Sequence, residues 1–215
     1  MPSSHQGQPV VRAGAPLSRA KAVAILLHGR GASAEGILSL AEVLAQRDLA
    51  YLSPQAAGRS WYPCLSLAPL ADNEPWLSSA LHVVADLFGD LAQCGFPPDR
   101  ILLLGFSQGG CLALEFAARH PRRYGAVVGL SAGLIGPNAA PRENTGSLAG
   151  TPILLGCSSA DPHIPLARVH ESAHHLSRIG GDVTVQIYDD MGHTINDDEI
   201  NRIRELAAGL VDASS

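Results

Sequence analysis

The chain has 215 residues, 46% of them hydrophobic and 16% charged, with 15 Lys and Arg against 20 Asp and Glu for a net charge of −5. This is a globular composition with enough apolar material for one full-sized core, which excludes a disordered or fibrous chain. The basic residues are scattered, so nucleic acid is not an expected partner, and no apolar run approaches the roughly 18 residues of a membrane span.

Residues 1–20 lack the apolar core of a secretory signal and read as an N-terminal extension or edge segment. The remainder, 21–215, reads as one domain. Cys64, Cys94, Cys111 and Cys157 form no CxxC pair, so neither a zinc site nor a disulfide framework is expected. Cys111 and Cys157 sit in apolar segments as small core residues, and a reducing cytoplasm is the expected location.

The first element is the apolar run AVAILL at 22–27, which stops at HGRGAS. In that turn Gly29, Gly31 and Ala34 match the G-x-G-x-x-A form of a dinucleotide fingerprint. Such a site needs an acidic residue about 20 residues on, at the exit of the next strand. Asp48 precedes the strand LAYLS instead, and that strand exits at Pro54 and Gln55, so the nucleotide reading is disfavoured. The stretch 54–75 follows as a long loop, too apolar to be idle.

A helical stripe then recurs through Leu77, Leu81, Val84, Phe88 and Leu91, opened by Asn73 and Pro75 and closed by Gly95. The runs ILLLG at 101–105, AVVGLSA at 126–132 and PILLGCS at 152–158 are bounded by Gly, Pro or Ser, the pattern of parallel strands covered on both faces. A second loop spans 136–150. Leu166, Val169, Ala173 and Leu176 form another helical stripe ending at Gly180 and Gly181. DVTVQIY at 182–188 alternates, with Val183, Val185 and Ile187 on one face, as expected of a strand near a sheet edge. A last helix carries Ile203, Leu206, Ala207 and Leu210, with Asn196 and Glu199 spaced as a capping pair. Strands alternating with helices throughout predict one α/β domain around a mainly parallel sheet.

The most informative stretch is GFSQGG, beginning at Gly105, between the strand 101–105 and a helix carrying Leu112, Leu114 and Phe116. A G-x-S-x-G sequence between strand and helix is a nucleophile elbow: the turn is so sharp that glycines must flank Ser107 two residues before and after it. A serine hydroxyl needs a base to take its proton and an acid to orient that base. On such a sheet these come from loops after later strands, in the order serine, acid, histidine. SADPHIP after PILLGCS offers Asp161, and DDMGHTIN after DVTVQIY offers His193. The other histidines serve less well. His174 and His175 lie mid-helix, His28 belongs to the first turn, and His163 shares the loop of Asp161. Asp197 and Asp198 are accounted for by capping of the last helix. The catalytic set is therefore Ser107, Asp161 and His193. The backbone N–H groups of Gln108 and Arg30 are the expected donors to an oxyanion. The Arg30 side chain is then left free for solvent or for an acidic substrate.

With these residues in hand, the chain resembles the phospholipase/carboxylesterase family of α/β hydrolases, relatives of the acyl-protein thioesterases. The likeness runs from AILLHGRGAS through LGFSQGG to YDDMGHTIN, and GFSQGG is more specific than a bare G-x-S-x-G. It implies a compact α/β-hydrolase fold without a large cap domain. It also implies hydrolysis of carboxylic esters or thioesters through an acyl-enzyme, with Ser107 as nucleophile, His193 as base and Asp161 as its orienting carboxylate. No metal or organic cofactor is implied. The turn is HGRGAS where the thioesterases carry an HGLGD-type turn, and SWYP and NEPW replace their acyl-channel stretch. That favours a short-to-medium or aromatic ester over a long lipid chain. Trp61, Tyr62 and Trp76 are candidates to line its pocket, as is Met191. Acyl thioesterase and lysophospholipase are the alternatives on the same fold, and a non-catalytic ligand-binding protein is the alternative of another class. A homodimer through a helix or edge strand is compatible with a domain of this size, with no surface singled out.

Overall fold

The structure, a computed structural model, describes residues 5–138, 142 and 146–213. Parts of the predicted extension 1–20 and of the loop 136–150 lie outside the described residues. Seven strands form one sheet: β1 (Val10–Gly14), β2 (Ala22–Leu27), β3 (Leu49–Pro54), β4 (Ile101–Phe106), β5 (Ala126–Leu130), β6 (Pro152–Ser158) and β7 (Asp182–Tyr188). Their spatial order is β1-β3-β2-β4-β5-β6-β7. β1 runs antiparallel along β3, and every other pairing is parallel.

The strands that read as continuous apolar runs are the central ones, and every residue of β2 and β5 is buried. The alternating strand β7 is an edge, with Val183, Val185 and Ile187 packed on the core and Asp182 and Thr184 exposed. Among the described residues five helices cover the sheet. On one face lie α2 (Trp76–Gln93), α3 (Gln108–Arg119) and α4 (Leu166–Arg178), contributing Leu77, Val84, Leu112, Phe116, Val169 and Leu176 to the larger core. On the other lie α1 (Ala34–Leu44) and α5 (Asp197–Asp212), through Ile37, Leu44, Ile200 and Ile203. Each such side chain, once buried, stabilises the fold by about 1.5–3 kcal/mol. All five helices pack on one face or the other, so among the described residues no separate cap stands over the sheet. Among them, too, no helix is long and apolar enough to cross a membrane.

The loop 54–75 is built rather than loose. It contains two 3-10 turns, Ala57–Arg59 and Leu70–Asn73, and buries Ala56, Trp61, Tyr62 and Asn73. Asn73 holds it from within, its Oδ1 accepting the N–H of Cys64 at 2.8 Å. The carboxyl ends of β2, β4, β6 and β7 all open onto one edge of the sheet, where parallel α/β folds place their sites.

Candidate active site

Ser107 sits in the turn between β4 and α3 with φ 54° and ψ −121°, a conformation costly for a non-glycine residue. The flanking glycines make it possible. A Cβ on Gly105 would lie 2.2 Å from the carbonyl carbon of Gly109, and one on Gly109 would lie 2.1 Å from the carbonyl oxygen of Leu27. The elbow so formed puts the Ser107 hydroxyl at the N-terminus of α3, where unpaired N–H groups and the helix dipole favour negative charge.

The three predicted side chains meet. His193 Nε2 is 2.9 Å from Ser107 Oγ, and His193 Nδ1 is 2.8 Å from Asp161 Oδ2. The other Asp161 oxygen accepts the N–H groups of His163 at 2.8 Å and Ile164 at 3.0 Å. Burial would raise the Asp161 carboxyl, but these bonds, led by the one from His193, outweigh it and hold the group below the usual carboxylate range. Asp161 thus stays ionised, and His193 carries its proton on Nδ1 with Nε2 free to accept from Ser107. The Asp161 side chain is fully buried while that of His193 is 19% exposed, so the cleft opens onto His193 and not onto Asp161.

Two thiols lie close by without competing. Cys111, one turn along α3, has its thiol pushed up chiefly by burial. Cys157, 3.9 Å from Asp161 Oδ2, is pushed up to about 12 by burial and then by that carboxylate. Both stay protonated, and a protonated thiol is a poor nucleophile.

Beside Ser107 opens a cleft of about 340 Å³. Its walls are Tyr62, Leu65, Ser66, Cys111, His163 and Ile164, with Arg30 and Gln108 at the elbow. Two larger hollows, of about 700 Å³ beside α1 and about 600 Å³ beside α5, contain none of the three reactive side chains.

Several sequence expectations are corrected here. Trp61 is fully buried and does not line the cleft: its ring packs against His5 and His28, and its Nε1–H donates to the His28 carbonyl at 2.9 Å. Trp76 opens α2 and packs on the core. Met191 lies outside the cleft as well, its sulfur accepting from Asn196 Nδ2 at the cap of α5. Of the aromatic candidates only Tyr62 lines the cleft. The Arg30 side chain is not free, since its guanidinium donates to the carbonyls of Tyr62, Pro63 and Cys64.

Sequence reasoning also missed contacts. His163 stacks edge-on against the His193 ring at 4.7 Å, and Phe106 lies 5.0 Å from it on another side. Phe106 was visible as the residue before the elbow serine, and His163 and Ile164 as near neighbours of Asp161. Among the described residues no group of three or more His, Cys, Asp or Glu is placed to hold a metal ion.

Comparison with known proteins agrees with this fold. The family model described as Phospholipase/Carboxylesterase matches residues 8–208. NocK of Nocardia uniformis subsp. tsuyamanensis is 36% identical over 159 residues, 71% of this chain but only 44% of that relative, so this chain spans under half of its length. Acyl-protein thioesterase 1 of Saccharomyces cerevisiae is 27% identical over 176 residues, 73% of this chain and 77% of the yeast protein. The crystal structure of a phospholipase/carboxylesterase from Dyadobacter fermentans superposes with a TM-score of 0.91 at 36% identity, covering 97% of this chain and 99% of that one. The chain belongs to the phospholipase/carboxylesterase family of α/β hydrolases.

Proposed function

We propose that the protein is a serine carboxylesterase acting on esters of short-to-medium acyl chains. The observation that carries the reading is the unbroken relay Ser107–His193–Asp161, at 2.9 and 2.8 Å, facing a cleft of about 340 Å³. In the proposed reaction His193 Nε2 takes the Ser107 proton as Oγ attacks the ester carbon. The carbonyl oxygen becomes an oxyanion received by the backbone N–H groups of Arg30 and Gln108. Collapse breaks the carbon–alcohol oxygen bond, and His193 returns its proton to the leaving alcohol, leaving an acyl-Ser107 ester. Water, deprotonated by His193, then attacks that ester through a second oxyanion and releases the acid. Asp161 stays ionised throughout and stabilises the imidazolium.

The modest volume of the cleft, with Tyr62 and Cys111 buried side by side at its wall, supports a short-to-medium acyl group. The named thioesterases among the relatives keep thioester cleavage as the second reading. Four free cysteines are consistent with a reducing compartment such as the cytoplasm. The test is hydrolysis of p-nitrophenyl esters from acetyl to palmitoyl, alongside matched thioesters. The reading expects a maximum at short or medium length with oxygen esters ahead. A maximum at palmitoyl, or thioesters clearly ahead, would favour the second reading.

A further inference from the structure

Two separate turns grip the same stretch of chain, 60–64. From the first turn, Arg30 Nη1 donates to the Pro63 carbonyl at 2.8 Å, and Nη2 to those of Tyr62 at 3.0 Å and Cys64 at 2.6 Å. From the elbow, Gln108 Nε2 donates to the same Tyr62 carbonyl at 2.7 Å, while its Oε1 accepts the Trp61 N–H at 2.9 Å. The Ser60 hydroxyl adds a third donor to the Tyr62 carbonyl at 2.9 Å. The adjoining Arg59 carbonyl accepts the N–H of Gly31 at 2.7 Å. One carbonyl, that of Tyr62, therefore ties together the side chains of Arg30 and Gln108, the two residues whose backbone N–H groups the proposed reaction uses as oxyanion donors.

We propose that the Arg30 side chain is a positioning residue for the oxyanion site, bracing stretch 60–64 against Gln108 so that the two backbone donors keep a fixed separation. The inference rests on Ser107 being the nucleophile. Its physical need is plain. Arg30 is flanked by Gly29 and Gly31, the latter at φ +77°, so the turn has little stiffness of its own. Oxyanion donors act only when held 2.7–3.1 Å from the developing charge. A planar guanidinium with several diverging N–H groups can reach three carbonyls at once, which a lysine ammonium on its flexible stem does less well. Those donors are turned to the loop, which sets this role apart from recognition of an acidic substrate.

The test compares wild type, Arg30→Met and Arg30→Lys on p-nitrophenyl butyrate and on the p-nitrophenyl hemisuccinate, which carries a carboxylate on its acyl chain. Binding of a trifluoromethyl ketone, whose Ser107 adduct holds an oxyanion, is measured in parallel. Arg30→Met is expected to lower kcat about 10- to 100-fold with KM within about twofold, short of losing a donor outright. Ketone affinity should fall by the same factor as kcat/KM, both esters should lose equally, and Arg30→Lys should lie between. An unchanged kcat, an unchanged ketone affinity, or a KM rise confined to the hemisuccinate would overturn the proposal. Should Arg30→Met fail to fold by circular dichroism, the same readings on Arg30→Lys decide. Ser107→Ala run alongside separates the two levels. If it retains activity, the esterase site itself is wrong; if it is inactive while Arg30→Met matches wild type, only this inference falls.

Discussion

The backbone of Gly109 rests directly on that of Leu27, so closely that a Cβ on Gly109 would lie 2.1 Å from the Leu27 carbonyl oxygen. Helix α3 thereby starts against the end of β2, and the elbow and the first turn come together around Ser107. The Leu27 backbone is not free to retreat, because it is paired in the central sheet with Gly105. Gly109→Ala should therefore cost about 1–3 kcal/mol or more, as overpacking does. In a chain of this size that lowers the melting temperature by at least about 2–4 °C per kcal/mol. Scanning calorimetry of the variant checks this, and an unchanged melting temperature would mean that the contact is looser than drawn.

Asp161 holds the tautomer of His193. Asp161→Asn keeps the shape but presents an amide that can donate to Nδ1, stabilising the ring with its proton on the nitrogen that must accept from Ser107. Activity should fall on the order of 10⁴-fold with KM little changed. Steady-state kinetics at pH 8 measures it, and a loss below about tenfold would remove Asp161 from the relay.

A third prediction concerns pH and the loop beneath the site. The N–H groups of consecutive residues Ala56 and Ala57 donate to His28 Nε2 and His5 Nδ1, each at 3.1 Å. The opposite nitrogens face the carbonyls of Gly29 and Trp61. Both rings must be neutral to accept those bonds, and burial lowers both pKa values below 6.5. The unfolded chain takes up these protons near pH 6.5 and the folded chain only at lower pH. Stability is thus present above that value and is lost as pH falls toward the folded pKa values. Thermal melts from pH 8 to 5 should show this decline, and His28→Asn should make it shallower. An equal slope in both proteins would contradict it.

Glu199 has the opposite sign. It caps α5 with Asn196, each side chain accepting the other's backbone N–H, while its Oε1 is buried with no hydrogen-bond partner. Burial pushes its carboxyl up to about 7 from 4.5. Its protonated form contributes stability that is full below the unfolded value and lost as pH rises through 7. Relative to wild type, Glu199→Gln should therefore gain about 1–3 kcal/mol between pH 5 and 9. Urea unfolding at the two pH values reads the change, and a constant difference would contradict the buried-acid assignment.

What could be read from the sequence follows from how local each signal is. The strands β2 and β4 announced themselves because both faces are covered, and the Asn196–Glu199 cap because its partners are three residues apart. That Ser107, Asp161 and His193 come together was legible because the elbow has a steric signature and the strand order limits where its partners can stand. Helix α1 was missed: Gly36 and Ser39 interrupt its stripe, and it stops on Ala45 in a left-handed turn at φ 51° rather than on a glycine. The direction of Trp61 was not legible, since its partners His28 and His5 lie far away in the chain. The same holds for Arg30, whose acceptors are carbonyls of a distant loop and carry no residue code at all.

The most direct test of the central claim is labelling with a fluorophosphonate, followed by tryptic digestion and peptide mass mapping. The account predicts one adduct per chain, on Ser107 within the tryptic peptide 101–119, absent from Ser107→Ala and strongly slowed in His193→Ala. No adduct on the folded protein, or an adduct on a different residue that survives in Ser107→Ala, would contradict it.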